Sequence, residues 1–417
     1  MTAPNAPGRA VMNRTLPTLL LVLTVFGPIS MDLYLPALPA LSADFGTATS
    51  VAQLTVTACL VGLAGGQLVA GPVSDRFGRR GVLLAGTVAY VVTSALCAVS
   101  PTIELLVLAR LVQGIAGGVG IVIAQAAGRD IYAGGALIRF YGRVTVVGGF
   151  AAVVGPLLGG LLDTVTDWRG LFVFLAVVGA VILAAACVTF RETLPAGRRT
   201  RGGVTDAARD FGTLLADRVF VGAVVGQGFL YAALFAYLSG STFVLQDIYG
   251  LSPQQYALAF GLNSAGFMVF GYLAGRASER WSIRGTLAVG VLLAGGGALG
   301  LLASGSVRMP LWVVIVSLFL LAAGVASSSP PATTLALAGY PQLAGTASSL
   351  LGAVRFGFGG VAAPLVGVAG ATSILPLGLV TTGAVLFAAV TARALVNRPT
   401  TATPTEAAST IPAKVTQ

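Results

Sequence analysis

The sequence predicts an all-α polytopic membrane protein, with twelve transmembrane helices in two six-helix bundles related by pseudo-twofold symmetry. Of its 417 residues, 56% are hydrophobic and 9% are charged, too few charges to cover the surface of a soluble protein. The segment GPVSDRFGRRG at 71–81 recurs in degenerate form, 204 residues later, as GRASERWSIRG at 275–285. A charged turn that returns between apolar runs at this distance indicates two related halves.

Twelve apolar runs have the length of about 20 residues that a helix needs to cross a bilayer. They lie near 15–38, 52–72, 82–99, 104–126, 142–162, 170–190, 219–243, 254–276, 285–303, 310–332, 345–368 and 373–395. The polar, glycine-containing stretch 191–218 predicts a cytoplasmic linker between an N-terminal bundle (15–190) and a C-terminal bundle (219–396). The polar ends, 1–14 and 397–417, are predicted to be cytoplasmic tails, disordered over 1–13 and 397–417.

The net charge of +10 follows the membrane topology and does not indicate a nucleic-acid partner. With the N-terminus in the cytoplasm, 20 of the 24 basic residues lie on the cytoplasmic side: Arg9, Arg14, Arg76, Arg79, Arg80, Arg129, Arg139, Arg143, Arg191, Arg198, Arg199, Arg201, Arg209, Arg218, Arg276, Arg280, Arg284, Arg393, Arg398 and Lys414. This positive-inside bias predicts cytoplasmic termini for a multi-pass membrane protein, next to anionic lipid headgroups. The first apolar run exceeds a signal-peptide core and is predicted to be a retained helix.

The residues that the sequence lacks exclude most enzymatic chemistry. There is no histidine, and Lys414 is the only lysine. Cys59, Cys97 and Cys187 stand at unrelated spacing within apolar runs, which is typical of small buried thiols. No thiols or carboxylates have metal-ligand spacing, and histidine-based or Schiff-base catalysis is excluded. We therefore predict no catalytic residue, no metal and no cofactor, in a protein that is not an enzyme.

Asp32 is the one acidic residue among 14 whose position predicts a place within the membrane. An ionisable group at that depth is costly and marks a functional site by default. Burial favours the neutral acid whereas a nearby cation or substrate favours the carboxylate, so Asp32 is predicted to take up and release a proton. Alternatively, the first helix ends near Tyr34 and Asp32 faces water at the outer rim. Pro28, Pro36 and Pro39 favour a locally broken helix that lines a cavity.

Arg110 in the fourth span lies at a depth similar to that of Asp32, about 9–10 Å below the outer surface at a rise of about 1.5 Å per residue. A buried guanidinium cannot neutralise itself and must be paired or reach water. Asp32, an anionic or electron-rich substrate, and helix carbonyls are all candidate partners, and a purely structural role stays open. Arg355 in the eleventh span lies among glycines, where packing, carbonyl contacts or substrate binding would all explain it.

The sequence GPLLGG in the fifth span places Pro156 beside a face of small residues formed by Gly155, Gly159 and Gly160. Proline breaks the hydrogen-bond ladder of a helix, and small residues allow another helix to approach closely. The pattern predicts a bend that packs against a second helix and acts as a hinge or seal. An ordinary crowded helix interface is the alternative.

Several of these stretches resemble the major facilitator superfamily. GPVSDRFGRR resembles its motif between helices 2 and 3, LVLARLVQG (106–114) its helix 4 motif, and GPLLGG the helix 5 motif associated with antiporters. MDLYLPALP (31–39) and RDIYAG (129–134) extend the resemblance to the Bcr/CflA drug-resistance subfamily, which includes bicyclomycin and chloramphenicol or florfenicol exporters. In the C-terminal half the resemblance rests on the second loop copy and on GTASSLLGAVRFG (345–357).

The resemblance implies a drug/proton antiporter that works by alternating access, with its cavity between the halves and lined by helices 1, 4, 7 and 10. It implies a gating loop made by Gly71, Asp75, Arg76, Gly78, Arg79 and Arg80, with Glu279 and Arg280 in the second copy. Asp32 is the predicted proton-coupling residue, and the predicted substrate-binding residues are Asp32, Tyr34, Arg110, Gln113, Gln227, Tyr231, Phe235 and Asn263. The last four rest on polarity or aromaticity within apolar spans, for which core packing is the other explanation.

Two departures from the family pattern qualify these expectations. Thr24 stands where some relatives have a second acid, which puts multi-proton coupling and strong export of dications in doubt. Ser282 and Ile283 replace the Gly and Arg of the first loop copy, which suggests a weaker or differently built second gate.

The expected partners are a small-molecule drug, protons and the lipid bilayer, with no nucleic acid, for a protein that acts as a monomer. Two other functions stay open. One is a proton symporter for metabolite uptake, against which the helix 5 motif counts. The other is a non-transporting membrane receptor or scaffold, which needs no membrane carboxylate and should tolerate Asp32→Ala.

Overall fold

The computed structural model describes residues 15–132, 134–199, 204–307, 309–337, 339–340, 343–367 and 373–396. The predicted tails 1–14 and 397–417 and the linker residues 200–203 lie outside these ranges. The described helices are α1 (Thr15–Asp32), α2 (Leu38–Asp44), α3 (Thr49–Phe77), α4 (Arg79–Ala98), α5 (Ile103–Ile131), α6 (Gly134–Leu162), α7 (Trp168–Thr189), α8 (Val204–Ala216), α9 (Arg218–Phe243), α10 (Pro253–Arg280), α11 (Ile283–Ser306), α12 (Leu311–Leu337), α13 (Ala344–Val366) and α14 (Leu375–Val396).

Eleven helical segments within the described ranges are long and apolar enough to cross a membrane, and one of them combines α1 and α2 as Thr15–Asp44. The remaining predicted span, 142–162, lies in α6, of which the apolar part Val153–Leu162 is shorter. Helices α1–α7 form the N-terminal bundle and α9–α14 form the C-terminal bundle. The prediction of an all-α membrane protein of twelve spans in two bundles is confirmed.

Helices begin where a polar side chain replaces the missing backbone partner of the first turn. Thr102 Oγ1 accepts from the Leu105 N–H at the start of α5, and Asp167 Oδ1 accepts from the Gly170 N–H at the start of α7. Ser252 forms a capping box at the start of α10. Because these caps lie in polar loops, the helices extend a few residues beyond the apolar runs that predicted them.

The first span is interrupted directly after Asp32. A turn and the short 3₁₀ segment Leu35–Ala37 separate α1 from α2, with Pro28 before the break, Pro36 within it and Pro39 after it. Proline removes a backbone donor and restricts the residue before it, so helical hydrogen bonding cannot continue through this segment. The prediction of a locally broken first helix is confirmed.

The linker contains a helix that we did not predict. α8 lies within residues 191–218, and Leu214 on it is fully buried against Phe220 and its neighbours in the C-terminal bundle. The helix therefore covers one end of that bundle. We call this end of the molecule, where Gly78 and the linker lie, the linker end. The opposite end, with loops 45–48, 163–167 and 249–252, is the far end.

Glycines bring helices α3 and α5 into backbone contact. A Cβ atom added to Gly62 would collide with the Leu111 carbonyl, and one added to Gly114 would collide with the Cys59 carbonyl. Such contacts suit membrane helices, which gain little hydrophobic free energy by leaving lipid. Cys59 and Cys97 are buried as predicted, but Cys187 is exposed, because its position on α7 turns away from the bundle.

Three glutamine side chains join the two halves near the far end. Gln53 of α3 donates to the Ser239 carbonyl at 3.3 Å. Gln246 donates to the Pro36 carbonyl at 2.9 Å, and Gln254 donates to the Gly160 carbonyl at 3.3 Å. We call these three contacts the amide junction. They tie the 3₁₀ segment after α1 and the far ends of α3 and α6 to the C-terminal half and close this end of the molecule.

Candidate functional site

A cavity lies between the two halves, with a volume of about 220 Å³. It is lined from α1, α3, α9, α10, α12 and α13 by Pro28, Met31, Asp32, Leu63, Tyr231, Leu234, Phe235, Tyr237, Leu238, Phe260, Asn263, Ser264, Phe267, Ala322 and Phe356. Drug-sized ligands usually occupy pockets of roughly 300–1,000 Å³, so a drug of that size would have to displace side chains as it enters. The predicted lining spans 1, 7 and 10 correspond to α1, α9 and α12, and all three contribute to this lining. The predicted fourth span, which is α5, does not contribute to it.

Asp32 is the acidic residue of the cavity. It ends α1, is 7% exposed, and its carboxyl has no hydrogen-bond or ion-pair partner within the described part of the chain. The alternative that Asp32 faces water at the outer rim does not hold, since the chain continues over it through Tyr34 and α2. An unpaired carboxyl in an apolar cavity is costly as an anion, so it is suited to binding a proton.

The GPLLGG motif of α6 packs against the break that carries Asp32. A Cβ atom on Gly155 would lie 3.0 Å from the Asp32 Cβ, and one on Gly159 would collide with the Leu33 carbonyl. Gly160 faces the other half, where its Cβ would lie 2.7 Å from the Ala257 Cβ. The motif thus lies between α1 and α10, and this agrees with the predicted close packing and with a seal between halves.

Aromatic rings form most of the cavity wall opposite Asp32. The ring centroids of Tyr231 and Phe235 are 6.2 Å apart, and those of Phe235 and Phe356 are 5.7 Å apart. Asn263 donates to the Tyr237 hydroxyl at 3.1 Å, while its own Oδ1 has no partner among the described residues. The predicted residues Tyr231, Phe235 and Asn263 are therefore brought together at the cavity.

Several lining residues were missed from the sequence. Phe260, Asn263 and Phe267 follow each other at helical spacing on α10, and this stripe of aromatic and polar residues is the signal that could have found Phe260 and Phe267. Phe356 had no comparable signal, because its neighbours are glycines and Arg355. Met31 resembles any other apolar residue of the first span.

Arg110 and Gln113, which were predicted to bind substrate, do not line this cavity. Arg110 is fully buried inside the N-terminal bundle, and it donates to Gln113 Oε1 at 2.6 Å and to the Ser30 carbonyl at 3.3 Å. Its guanidinium lies 4.3 Å from the Tyr34 ring centroid and 5.4 Å from that of Phe172. No ion pair between Arg110 and Asp32 occurs in the described structure. A helix carbonyl, one of the predicted alternative partners, and two aromatic rings contact the guanidinium, whose Nε and Nη2 have no hydrogen-bond partner among the described residues.

Tyr34 is also outside the cavity. Its side chain lies in the N-terminal bundle, where its hydroxyl lies 2.7 Å from Thr55 Oγ1 and its ring packs on Phe172. The family resemblance had suggested Tyr34 as a lining residue. Residues two positions apart in a helix point about 200° from each other, so Tyr34 faces away from Asp32.

Gln227 belongs to a second polar cluster, toward the linker end. It donates to Ser329 Oγ at 3.1 Å, and Arg355 donates to Thr333 Oγ1 at 3.0 Å. The Arg355 guanidinium lies 4.9 Å from the ring centroid of Tyr231. Arg355 thus contacts hydroxyl groups and an aromatic ring, and not only the glycines around it.

The gating-loop residues of the first copy form a compact ionic network. Arg79 is 7% exposed, and it donates to Asp75 Oδ1 at 2.6 Å and to Asp130 Oδ2 at 3.3 Å. Gly78 between α3 and α4 has φ of +97°, a conformation that L residues with a Cβ atom rarely adopt. Gly71 lies on α3 before the loop, and the exposed Arg76 packs over the Phe77 ring.

Glu192 from the linker closes this network. Its carboxylate accepts from the backbone N–H groups of Arg79 at 2.9 Å and Arg80 at 3.2 Å, and lies 3.6 Å from Arg199 Nη2. Burial alone would raise the pKa of Glu192, but the N–H groups of Leu194, Arg79 and Arg80 and the Arg199 charge outweigh it and hold the pKa below its usual range. The carboxylate thus supplies the missing partners at the start of α4.

In the second copy, Arg280 is exposed at the end of α10, and the side chain of Glu279 lies outside what the structure describes. At the far end, Arg169 Nη1 donates to Asp44 Oδ2 at 2.6 Å, and Trp168 Nε1 donates to the same oxygen at 3.1 Å. Among the described residues there is no group of three His, Cys, Asp or Glu side chains that could hold a metal ion.

Comparison with known proteins identifies the family. The model of the Major Facilitator Superfamily matches residues 20–364. The chain belongs to the Major Facilitator Superfamily. An uncharacterized MFS-type transporter, YdgK, of Bacillus subtilis is 35% identical over 87% of this chain and 90% of its own length. The chloramphenicol resistance protein of Pseudomonas aeruginosa is 32% identical over 80% of this chain and 78% of its own.

Solved structures share the fold at low sequence identity. A bacterial homolog of the human lysosomal transporter Spinster, in an inward-facing and unoccupied conformation, has a TM-score of 0.71 at 17% identity, covering 93% of this chain and 97% of its own. The chain is therefore a multi-pass membrane protein of a transporter family, and the resemblance to drug-resistance proteins inferred from its motifs is confirmed.

Proposed function

We propose that this chain exports small-molecule antibiotics, of the chloramphenicol or bicyclomycin type, across the bacterial cytoplasmic membrane in exchange for protons. The observation that carries the proposal is the unpaired Asp32 carboxyl in an aromatic cavity between the two halves. Aromatic walls suit apolar ring-containing compounds, and the carboxyl provides the site for one proton. The resistance named for the Pseudomonas relative supports the substrate class.

The proposal puts the linker end in the cytoplasm, because Arg residues concentrate there. The closed far end then faces outward, and the conformation is inward-facing. In this state Asp32 gives its proton to the cytoplasm as a drug enters. After the access switch, a proton from outside binds Asp32, the drug leaves, and the protonated carrier returns. The cavity thereby opens alternately to each side.

One proton per cycle is sufficient. A membrane potential of about 100 mV and a pH difference of about one unit together supply roughly 3.7 kcal/mol, which corresponds to a several-hundred-fold gradient of a neutral drug. A single carboxyl that carries one proton per cycle can therefore drive this export. We further propose that the protein acts as a monomer without a cofactor and catalyses no chemical reaction.

The test is a comparison of Asp32→Asn with the wild type in a drug-sensitive bacterial strain. Inhibitory concentrations of chloramphenicol, florfenicol, bicyclomycin and a cationic dye are measured, together with the amount of protein in the membrane. We expect the wild type to raise the inhibitory concentration of at least one antibiotic several-fold and Asp32→Asn to abolish the increase. Asp163→Asn, in the far-end loop and away from the cavity, is the matched control and should keep full resistance.

Proton-coupled export by Asp32→Asn at the wild-type rate would overturn the role of Asp32. Absence of resistance to every compound, with the protein present in the membrane, would count against antibiotic export. In that case, alkalinisation of the medium on addition of an external metabolite would indicate uptake by symport. A receptor or scaffold would produce neither result.

A further inference from the structure

Arg355 is a charged residue of the C-terminal bundle that has no acidic partner among the described side chains. It lies on α13, eleven residues from Ala344 at the linker end, and is half-buried. Its Nη2 donates to Thr333 Oγ1 at 3.0 Å and to Ser329 Oγ at 3.4 Å, and its Nε has no partner. A guanidinium at membrane depth without a counter-charge is costly, which indicates a function for it.

The neighbours of Arg355 form a donor-rich cluster. Gln227 donates to the Ser329 hydroxyl at 3.1 Å, and the Tyr231 hydroxyl lies 3.4 Å from the same oxygen. Ser329 and Thr333 are one helical turn apart on α12, so their hydroxyls share a face. We call Gln227, Tyr231, Ser329, Thr333 and Arg355 the Arg355 cluster.

The cluster adjoins the cavity on the side of the linker end. Tyr231 and Phe356, the residue after Arg355, both line the cavity. Gln227 and Tyr231 are four residues apart on α9, so Gln227 lies about 6 Å nearer the linker end at a rise of about 1.5 Å per residue. A compound that enters from the linker end thus passes the cluster before it reaches Asp32.

Arg110, the arginine within the fifth helix, differs from Arg355 in its burial and position. It is fully buried away from the cavity, with two aromatic rings, a carbonyl and Gln113 around its guanidinium, and its Nε and Nη2 have no hydrogen-bond partner among the described residues. Arg355 has one aromatic ring, only two hydroxyl acceptors, and an exposed fraction beside the cavity. Arg355 is therefore distinguished from Arg110 by its partial exposure and by its place next to cavity-lining residues.

We propose that the Arg355 cluster is a substrate subsite that binds an anionic or strongly accepting group, such as a carboxylate, sulfonate or nitro group, on an aromatic compound. Arg355 holds the oxygen atoms of this group, Ser329 and Thr333 orient the guanidinium, and the rings of Tyr231 and Phe356 contact the aromatic part. This inference deepens the proposed export function, since it specifies which substrates the cavity selects. A planar guanidinium fork suits two oxygen atoms of one group.

The test uses the full chain in phosphatidylcholine nanodiscs without a proton gradient. Binding of naphthalene-2-sulfonate and of 2-naphthalenemethanol, which lacks the anionic group, is measured by isothermal titration calorimetry for the wild type and Arg355→Gln. We expect Arg355→Gln to weaken sulfonate binding about tenfold and to leave alcohol binding within about twofold, because a charge-assisted hydrogen bond is lost for one ligand only.

Two further variants keep the test decisive if Arg355→Gln does not fold. Arg355→Lys keeps the charge but loses the fork, and Thr333→Val removes an orienting hydroxyl; each should weaken sulfonate binding about threefold and leave the alcohol unaffected. Equal sulfonate affinity in the wild type and the variants, or no sulfonate binding to the wild type, would overturn the subsite. Equal weakening of both ligands would indicate a structural role instead.

A lipid headgroup carries the same acceptor chemistry as the proposed substrates. The wild-type titration is therefore repeated in nanodiscs that contain phosphatidylglycerol. Unchanged sulfonate affinity supports a substrate subsite, whereas a tenfold loss assigns the cluster to lipid. The titrations measure binding without a proton gradient, whereas the resistance test measures export, so failure of the subsite and failure of proton-coupled export give different results.

Discussion

The loop at 71–81 and its copy at 275–285 share a sequence pattern but contact their surroundings differently. In the first copy, Arg79 connects Asp75 on its own loop to Asp130 at the end of α5, and Glu192 from the linker accepts from two backbone N–H groups at the start of α4. The loop, the end of α5 and the linker therefore meet at this point. The network requires Gly78, whose positive φ lets α4 begin directly after α3.

In the second copy, Ser282 stands at the position of Gly78 and Ile283 at that of Arg79. Ser282 has an ordinary extended backbone, and its Oγ accepts from the Gly285 N–H at 2.9 Å, so a local cap replaces the contact with Glu192. Trp281 is 72% exposed. With Ser282 and Ile283 at these positions, the second copy has a locally capped helix start where the first copy has a network that joins separate segments. This agrees with the expectation of a differently built second gate.

The largest expected effect comes from removing the centre of the network. Arg79→Ala leaves Asp75 and Asp130 without their shared cation, and should lower the free energy of unfolding by about 2–4 kcal/mol, reduced from the value for a fully buried pair because Asp75 is partly exposed. Thermal unfolding in detergent gives the measurement. The matched variant Ile283→Ala in the second copy should cost clearly less. Equal losses in the two variants would show that the copies do not differ.

A smaller effect is expected for the backbone conformation. Gly78→Ala should destabilise the protein by about 1–3 kcal/mol, because alanine is strained at this φ and its Cβ would collide with the Glu192 carboxylate. Ser282→Gly, at the matching position, loses a cap that glycine partly replaces and should cost only a few tenths of a kcal/mol. Both are read from the same unfolding measurement. A tolerated Gly78→Ala would contradict the strained geometry.

The smallest effect is a dependence on pH. Because the folded pKa of Glu192 is lower than its unfolded value of about 4.3, its stabilisation is complete above that value and is lost as the pH falls through the folded pKa. The melting-temperature difference between the wild type and Glu192→Gln should therefore shrink in acid. Asp163→Asn is a control of opposite sign, since burial and then the Asp167 charge raise the pKa of Asp163. A difference that grows in acid would exclude the assigned sign.

The helices were predictable from the sequence because apolar length, charge asymmetry and proline are local signals. The break after Asp32 followed from Pro28, Pro36 and Pro39 in this way. Helix α8 was missed because its charged residues suggested a loop, and only its contact with the C-terminal bundle makes the burial of Leu214 visible.

The site was predictable only in part. The sequence indicated four cavity residues, Asp32, Tyr231, Phe235 and Asn263, because polar and aromatic side chains stand out within apolar spans. Arg110 was misplaced for the same reason: its chemistry suggested a ligand, but the face of α5 on which it lies is set by the rotation of helices against each other. Sequence spacing predicts how deep in the membrane a residue lies, but tertiary packing decides whether its side chain faces a cavity.

The amide junction has a consequence for the conditions under which the far end stays shut. Its donors are the carboxamides of Gln53, Gln246 and Gln254 and its acceptors are peptide carbonyls, none of which gains or loses a proton at physiological acidity. Contacts between neutral groups also lack the charges that dissolved ions screen. The junction itself is therefore indifferent to the acidity and ionic strength of the medium, and a proton that arrives at Asp32 changes the carrier without weakening these three bonds directly.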